Sequence, residues 1–166
     1  MQVLVVYGSK RGGTAGLADM IGEEFEAAGM HAEVEPARSV ASLDGADAVV
    51  VAGALYAMRW HRDARRFTKR FAGDLRGRPV WLVSSGPLDD AATEKEIPPV
   101  KQVAAAMASV GARGHVTFGG RLEADAKGYP ASVMAKKRAG DWRDRGHIHR
   151  WVGSVVAELD RVGPHS

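Results

Sequence analysis

The chain has 166 residues, 45% of them hydrophobic and 26% charged, the proportions of an ordinary globular domain with a sizeable core, so one domain spanning residues 1–166 is expected. The absence of cysteine excludes disulfides, thiol redox chemistry and thiolate metal sites, and the formal charge of +3 favours anionic partners. No stretch is apolar for long enough to span a membrane and no signal peptide is expected, so the reading is a cytoplasmic chain with at most peripheral membrane contact.

In chain order, Val3–Tyr7 reads as a first strand. Thr14 to Ala28 reads as a helix with Leu17, Ile21 and Phe25 at four-residue steps and Gly29 as its stop. His31–Glu35 is a short, more polar strand expected near an edge, and Ala48–Ala52 is a buried strand. His61 to Ala72 is expected to be helical, Val80–Ser84 a strand, and Pro99 to Val110 a helix with proline in its first turn and Gly111 as its stop. His115–Phe118 is a strand, and Ile148, Trp151, Val152, Val155, Val156 and Leu159 form the apolar stripe of a last helix. This alternation predicts an α/β fold with a parallel sheet and helices on both of its faces. Residues 121–145 are long for a connection and are expected to be a variable insertion with a functional role.

The first strand runs into Gly8-Ser9-Lys10-Arg11-Gly12-Gly13-Thr14, and a helical pattern begins at once. Glycines let the backbone approach an anion, and the free N–H groups of a helix start favour negative charge. A Walker loop needs a lysine before its Ser/Thr, and here Thr14 follows Gly13 directly. The dinucleotide pattern G-x-G-x-x-G is not met after Tyr7, so Glu35 at the end of the second strand carries little weight. The pattern Ser9-x-x-Gly12-x-Thr14 instead resembles the FMN-phosphate loop of flavodoxin-like proteins, with Ser9, Lys10, Arg11, Gly12, Gly13 and Thr14 as phosphate-binding residues. That likeness implies a doubly wound, five-stranded parallel sheet of order 2-1-3-4-5, its ligand beyond the carboxyl ends of strands one, three and four.

Two loops would then meet a flavin. Gly53 to Trp60 follows the third strand, and Ala54, Leu55, Tyr56 and Ala57 lie where the ring would pass, with Tyr56, Met58 and Trp60 able to form a flat apolar slot. Ser84, Ser85, Gly86, Pro87 and Leu88 follow the fourth, where hydroxyls and close backbone approach suit the polar edge of the ring. Asp89 and Asp90 read as caps of the following segment and not as a carboxylate pair.

Gly53-Ala54-Leu55-Tyr56, Trp60-His61, Ala64-Arg65-Arg66-Phe67 and Gly140-Asp141-Trp142-Arg143-Asp144, with the phosphate loop, resemble the flavodoxin-domain protoporphyrinogen oxidase family over nearly the whole chain. The resemblance implies non-covalent FMN, oxidation of protoporphyrinogen IX to protoporphyrin IX in haem synthesis, and a quinone acceptor. Arg11 stands where many flavodoxins have threonine, replacing a hydroxyl with a cation. In the insertion, Ala131 to Arg138 is smaller and less apolar than a membrane-docking helix, which weighs against the quinone more than against the flavin.

Electron-carrier flavodoxins are typically acidic, and this chain is basic. Arg59, Arg62, Arg65, Arg66, Lys69 and Arg70 cluster beside the proposed flavin loop with Asp63 alone opposing them. Arg59, Arg62 and Arg66 are expected on one helical face, with Trp60, as a contact for the propionate carboxylates of a porphyrinogen or another small anion. A solvated basic face is the plainer reading for Arg65 and Lys69, and no nucleic-acid motif accompanies the patch. His61, at a helix start, is a weak candidate for proton transfer against the commoner role of cap. His147 and His149 fall on different helical faces, so no shared metal site is expected. The alternatives to the oxidase are an electron-transfer flavodoxin and an NAD(P)H-dependent FMN quinone reductase. A phospho-acceptor receiver domain is rejected, because Gly8-Ser9 and Gly53-Ala54 stand where its acidic residues belong.

Overall fold

A computed structural model describes residues 1–8, 13–56, 58–86, 98–119, 121–122, 140–141 and 145–162, with the backbone alone for Tyr56, for Val162 and for the two short strands of the insertion. Its sheet is built from β1 (Gln2–Gly8), β2 (His31–Pro36), β3 (Ala48–Tyr56), β5 (Val80–Ser85) and β6 (Gly114–Phe118), all parallel, in the order β2-β1-β3-β5-β6. The expected order of the five main strands is therefore observed. A further strand, β4 (Arg59–Trp60), folds back antiparallel on the end of β3.

The apolar runs are continuous because both faces of the sheet are covered. Val3 and Val5 of β1, Val50 and Ala52 of β3, and Trp81 and Val83 of β5 enter one core. Their neighbours Leu4 and Val6, Val49 and Val51, and Val80 and Leu82 enter the other. The first core is closed by α1 (Gly13–Ala27) through Leu17, Ile21 and Phe25, and by α5 (Arg145–Val162) through Ile148, Val152, Val155 and Leu159. The second is closed by α2 (Arg62–Arg70), α3 (Ala72–Arg76) and α4 (Lys101–Val110), through Ala64, Phe67, Leu75, Val103 and Val110. At about 1.5–3 kcal/mol for each large side chain fully buried, these two layers supply the main drive for folding.

Four local expectations are corrected. Strand β3 does not stop at Ala52: residues 53–56 continue it, because β5 pairs with it as far as Ala54 and β4 pairs with its last two residues. Arg59 lies on β4 and not on the helix. The helix expected over His61 to Ala72 breaks at Phe71 (φ −105°, ψ 18°) into α2 and α3. Pro99 precedes α4, whose N-cap is Val100. Within the insertion, β7 (Arg121–Leu122) pairs antiparallel with β8 (Gly140–Asp141). Ala131 to Arg138, Asp89 and Asp90 lie outside the described residues. Among the described residues no helix is long and apolar enough to cross a membrane.

Candidate functional site

The carboxyl ends of β1, β3 and β5 meet at one end of the sheet. There Gly8 is level with Gly53, and Gly53 with Ser84. The glycines let neighbouring parts of the chain come close. A Cβ on Gly8 would lie 2.9 Å from the Ala64 backbone nitrogen and 3.0 Å from His61 Nδ1, so the bare backbone lets the first turn of α2 rest on the end of β1. A Cβ on Gly53 would overlap the indole of Trp60, 2.7 Å from its Cε2.

Two helix starts follow these strand ends in the chain, α1 after β1 and α2 after the β3–β4 hairpin. The first opens at Gly13, has Thr14 buried in its first turn and carries no acidic residue there. The second is capped by His61, whose Nδ1 accepts the Asp63 N–H at 3.1 Å. Unpaired N–H groups and aligned peptide dipoles at the start of α1 make this end electropositive. Ser9, Lys10, Arg11 and Gly12 lie outside the described residues, between Gly8 and Gly13. The strand end, the bare Gly8 and an acid-free helix start fit the phosphate of FMN.

Trp60 was expected to line the ring slot and to touch substrate; it belongs instead to the core. It is 1% exposed, its Nε1 donates to the Val83 carbonyl at 3.3 Å, and its backbone N–H donates to Gln102 Oε1 at 3.1 Å. It pins the β3–β4 hairpin to β5 and α4. His61, the weak proton-transfer candidate, is engaged as a helix cap. Ala54 is buried and accepts the His61 N–H through its carbonyl at 2.8 Å, Leu55 is half-buried, and Tyr56 ends the strand. Ala57 lies outside the described residues. At the hairpin tip Met58 is 75% exposed with φ +65°, a backbone conformation uncommon for a side chain of its size.

The end of β5 also differs from expectation. Ser84 is buried and its Oγ lies 2.9 Å from His115 Nε2, while the Gly86 N–H donates to the Phe118 carbonyl at 2.9 Å. Neither group is thus free for the polar edge of a flavin; they fix the direction in which the chain leaves the sheet. Gly86 sits at φ +135°, where only glycine is comfortable. Ser85 is also buried, and Pro87 and Leu88 lie outside the described residues. Burial pushes His115 down to about 4, so its imidazole is neutral at physiological pH.

Of the basic cluster, Arg65 donates through Nε to the Trp60 carbonyl at 3.1 Å, and Arg70 donates to the Val40 carbonyl and lies over the Phe71 ring at 4.8 Å. Arg59, Arg62, Arg66 and Lys69 are exposed, and no ion pair among the described residues engages them. Among the described residues no group of His, Asp and Glu is arranged to hold a metal. His149 bonds Glu24, and His147 meets the Phe118 ring edge-on at 4.6 Å. Sequence reasoning placed Gly8 and Gly53 in loops, where the structure has them at strand ends, and gave Gln102 and His115 no role at the site. Only the glycines left a signal, one at the end of each of two apolar runs.

The flavodoxin domain model matches residues 4–131. No curated protein matches the sequence. Among solved structures the fold is similar to a cysteine-to-serine mutant of flavodoxin from Pseudomonas aeruginosa, at TM-score 0.61 and 17% identity over 96% of this chain and 99% of that one. It is similar also to oxidised Flavodoxin 2 from Bacillus cereus, at TM-score 0.60 and 15% identity over 95% and 99%. Rubredoxin oxygen:oxidoreductase from Desulfovibrio gigas matches 94% of this chain with 37% of its own, at TM-score 0.56 and 13% identity. At such identities the likeness is one of fold.

Proposed function

We propose that this chain, which belongs to the flavodoxin domain family, is an electron-transfer flavoprotein. Its cofactor is FMN. When bound, FMN supplies the redox chemistry, accepting and releasing electrons. The chain's part is to hold and orient it. Residues 9–14 would cradle the phosphate at the start of α1. The β3–β4 hairpin and the chain after Ser85 would flank the ring.

The observation that supports this reading is the match of the flavodoxin domain model over residues 4–131, together with a strand end at which the bare Gly8 and the acid-free start of α1 suit a phosphate. A relay needs no acid or base, only a held flavin. A redox titration of the holo-protein tests it. Two resolved one-electron steps, shifted from those of free FMN, are expected. A single unresolved two-electron step, or rapid bleaching by NADPH alone, would replace the relay with a reductase.

A second reading is supported by the exposed Arg59, Arg62 and Arg66, whose forks suit the propionates of a porphyrinogen. It is oxidation of protoporphyrinogen IX with a quinone or other acceptor. Protoporphyrin fluorescence should then develop faster with holo-protein than with free FMN, and equal rates would dismiss it.

A further inference from the structure

We propose that the exposed basic stripe running from the tip of the β3–β4 hairpin along α2 docks an acidic protein that exchanges electrons with the bound flavin. The proposal rests on the electron-transfer reading above and names the partner's chemistry. Arg59 stands on β4, while Arg62 and Arg66 are successive turns of one helical face, with Lys69 beyond them. All four are exposed and unpaired among the described residues. Between Arg59 and Arg70 the one carboxylate is Asp63.

The extent of the stripe matters. At about 1.5 Å per residue, Arg62 to Lys69 spans about 10 Å of helix, before Arg59 is added. Two propionates on one edge of a small molecule need two cations; four spread along a helix and a hairpin match a protein surface. Met58, 75% exposed next to Arg59, adds an adaptable apolar contact at the hairpin end of the stripe. The stripe starts at the end of the sheet where the cofactor is held, so a docked partner sits beside the flavin. One electron leaves the reduced partner and enters the flavin, and no covalent bond between the proteins forms or breaks. Complementary charge steers the encounter and makes it salt-sensitive.

The probe is an acidic [2Fe–2S] ferredoxin, with a basic cytochrome c as control, titrated calorimetrically into the full-length holo-protein. Tight binding of the ferredoxin alone at low salt, weakening at least about tenfold as salt rises to a few times physiological, is expected. Arg62→Glu with Arg66→Glu should weaken it about tenfold or more, while Arg150→Glu with Arg161→Glu, on the exposed side of α5, should leave it nearly unchanged. Equal loss in both variants would reduce the effect to net charge and overturn the proposal. So would salt-independent binding, equal binding of cytochrome c, or no binding. Glutamate at the first position of α2 suits the helix dipole, and thermal melts check that each variant is folded. An FMN titration of the same samples, followed by flavin fluorescence, reports separately on the cofactor, so a failed docking surface is distinguishable from a failed flavin site.

Discussion

The edge of the Trp60 indole occupies the space where a side chain on Gly53 would stand. This contact lets a two-residue strand fold back on β3 and close over the end of the sheet, with the indole N–H reaching the Val83 carbonyl of β5. Gly53→Ala should therefore destabilise the protein by about 1–3 kcal/mol, as overpacking does, and loosen FMN binding by displacing the hairpin. Trp60→Ala, which leaves a cavity, should cost about 3–5 kcal/mol. Trp60→Leu combined with Gly53→Ala should cost less than Trp60→Leu alone and Gly53→Ala alone added together, because the smaller side chain gives room to the new methyl. Denaturant melts of the four proteins check this, and strict additivity would deny the contact.

His115 is held near 4 by burial, with its Nε2 against Ser84. An unfolded histidine titrates near 6.5. Between those two values the unfolded chain binds more protons than the folded one, so stability rises with pH across that window. It is fully present above about 6.5 and declines as pH falls towards 4. The melting temperature of wild type should fall on acidification through this range more steeply than that of His115→Gln. Parallel profiles would show that the imidazole does not carry the effect.

Arg145 and His149 of α5 face Glu23 and Glu24 of α1 at 2.6–3.3 Å, tying the last helix to the first. The bond from His149, then the charges of His149 and Arg145, hold the Glu24 carboxyl below its usual range against some burial. Its contribution is present above the ordinary carboxylate pKa and is lost as pH falls through the lowered one. These side chains are near the surface, so a double-mutant cycle of Glu24→Gln with Arg145→Gln should return under about 1 kcal/mol, shrinking in high salt. A coupling that is zero at low salt would assign the junction of α1 and α5 to Ile148, Val152 and their apolar neighbours alone.

How much of this was legible depended on what each segment's neighbours do. The central strands β1, β3 and β5 were readable because they are buried on both faces, which leaves runs such as Val49-Val50-Val51 with no polar interruption. Alternation with helices announced a parallel sheet, while the strand order was implied by the likeness of the phosphate loop to that of flavodoxin-like proteins. The hairpin was not readable: Gly53 and Ala54 look like a loop, and nothing local says that β4 will pair with Leu55 and Tyr56. Trp60 was misplaced for the same reason. Its burial depends on Val83 and Gln102, which lie 23 and 42 residues further along. Nor does Phe71, with no glycine or proline beside α2, announce that the helix breaks there. The phosphate loop was legible as composition, while the role of Gly8 became visible only once α2 was seen resting on it.

That role gives the sharpest test of the cofactor site. A methyl at position 8 would press 2.9 Å from the Ala64 backbone nitrogen and 3.1 Å from the Asp63 Cβ, and backbone cannot step aside as a flexible side chain can. Gly8→Ala must shift either the first turn of α2 or the end of β1 from which the phosphate loop departs. Both changes act at the phosphate end of the ligand and not at the ring. FMN affinity should therefore fall more than tenfold, the equivalent of about 1.4 kcal/mol, while the weaker binding of riboflavin, which has no phosphate, should change little. Titrations of both ligands by fluorescence quenching decide the matter. Equal loss for both would mean that Gly8 sets the ring slot through the hairpin, and no loss for either would separate the start of α2 from the cofactor altogether.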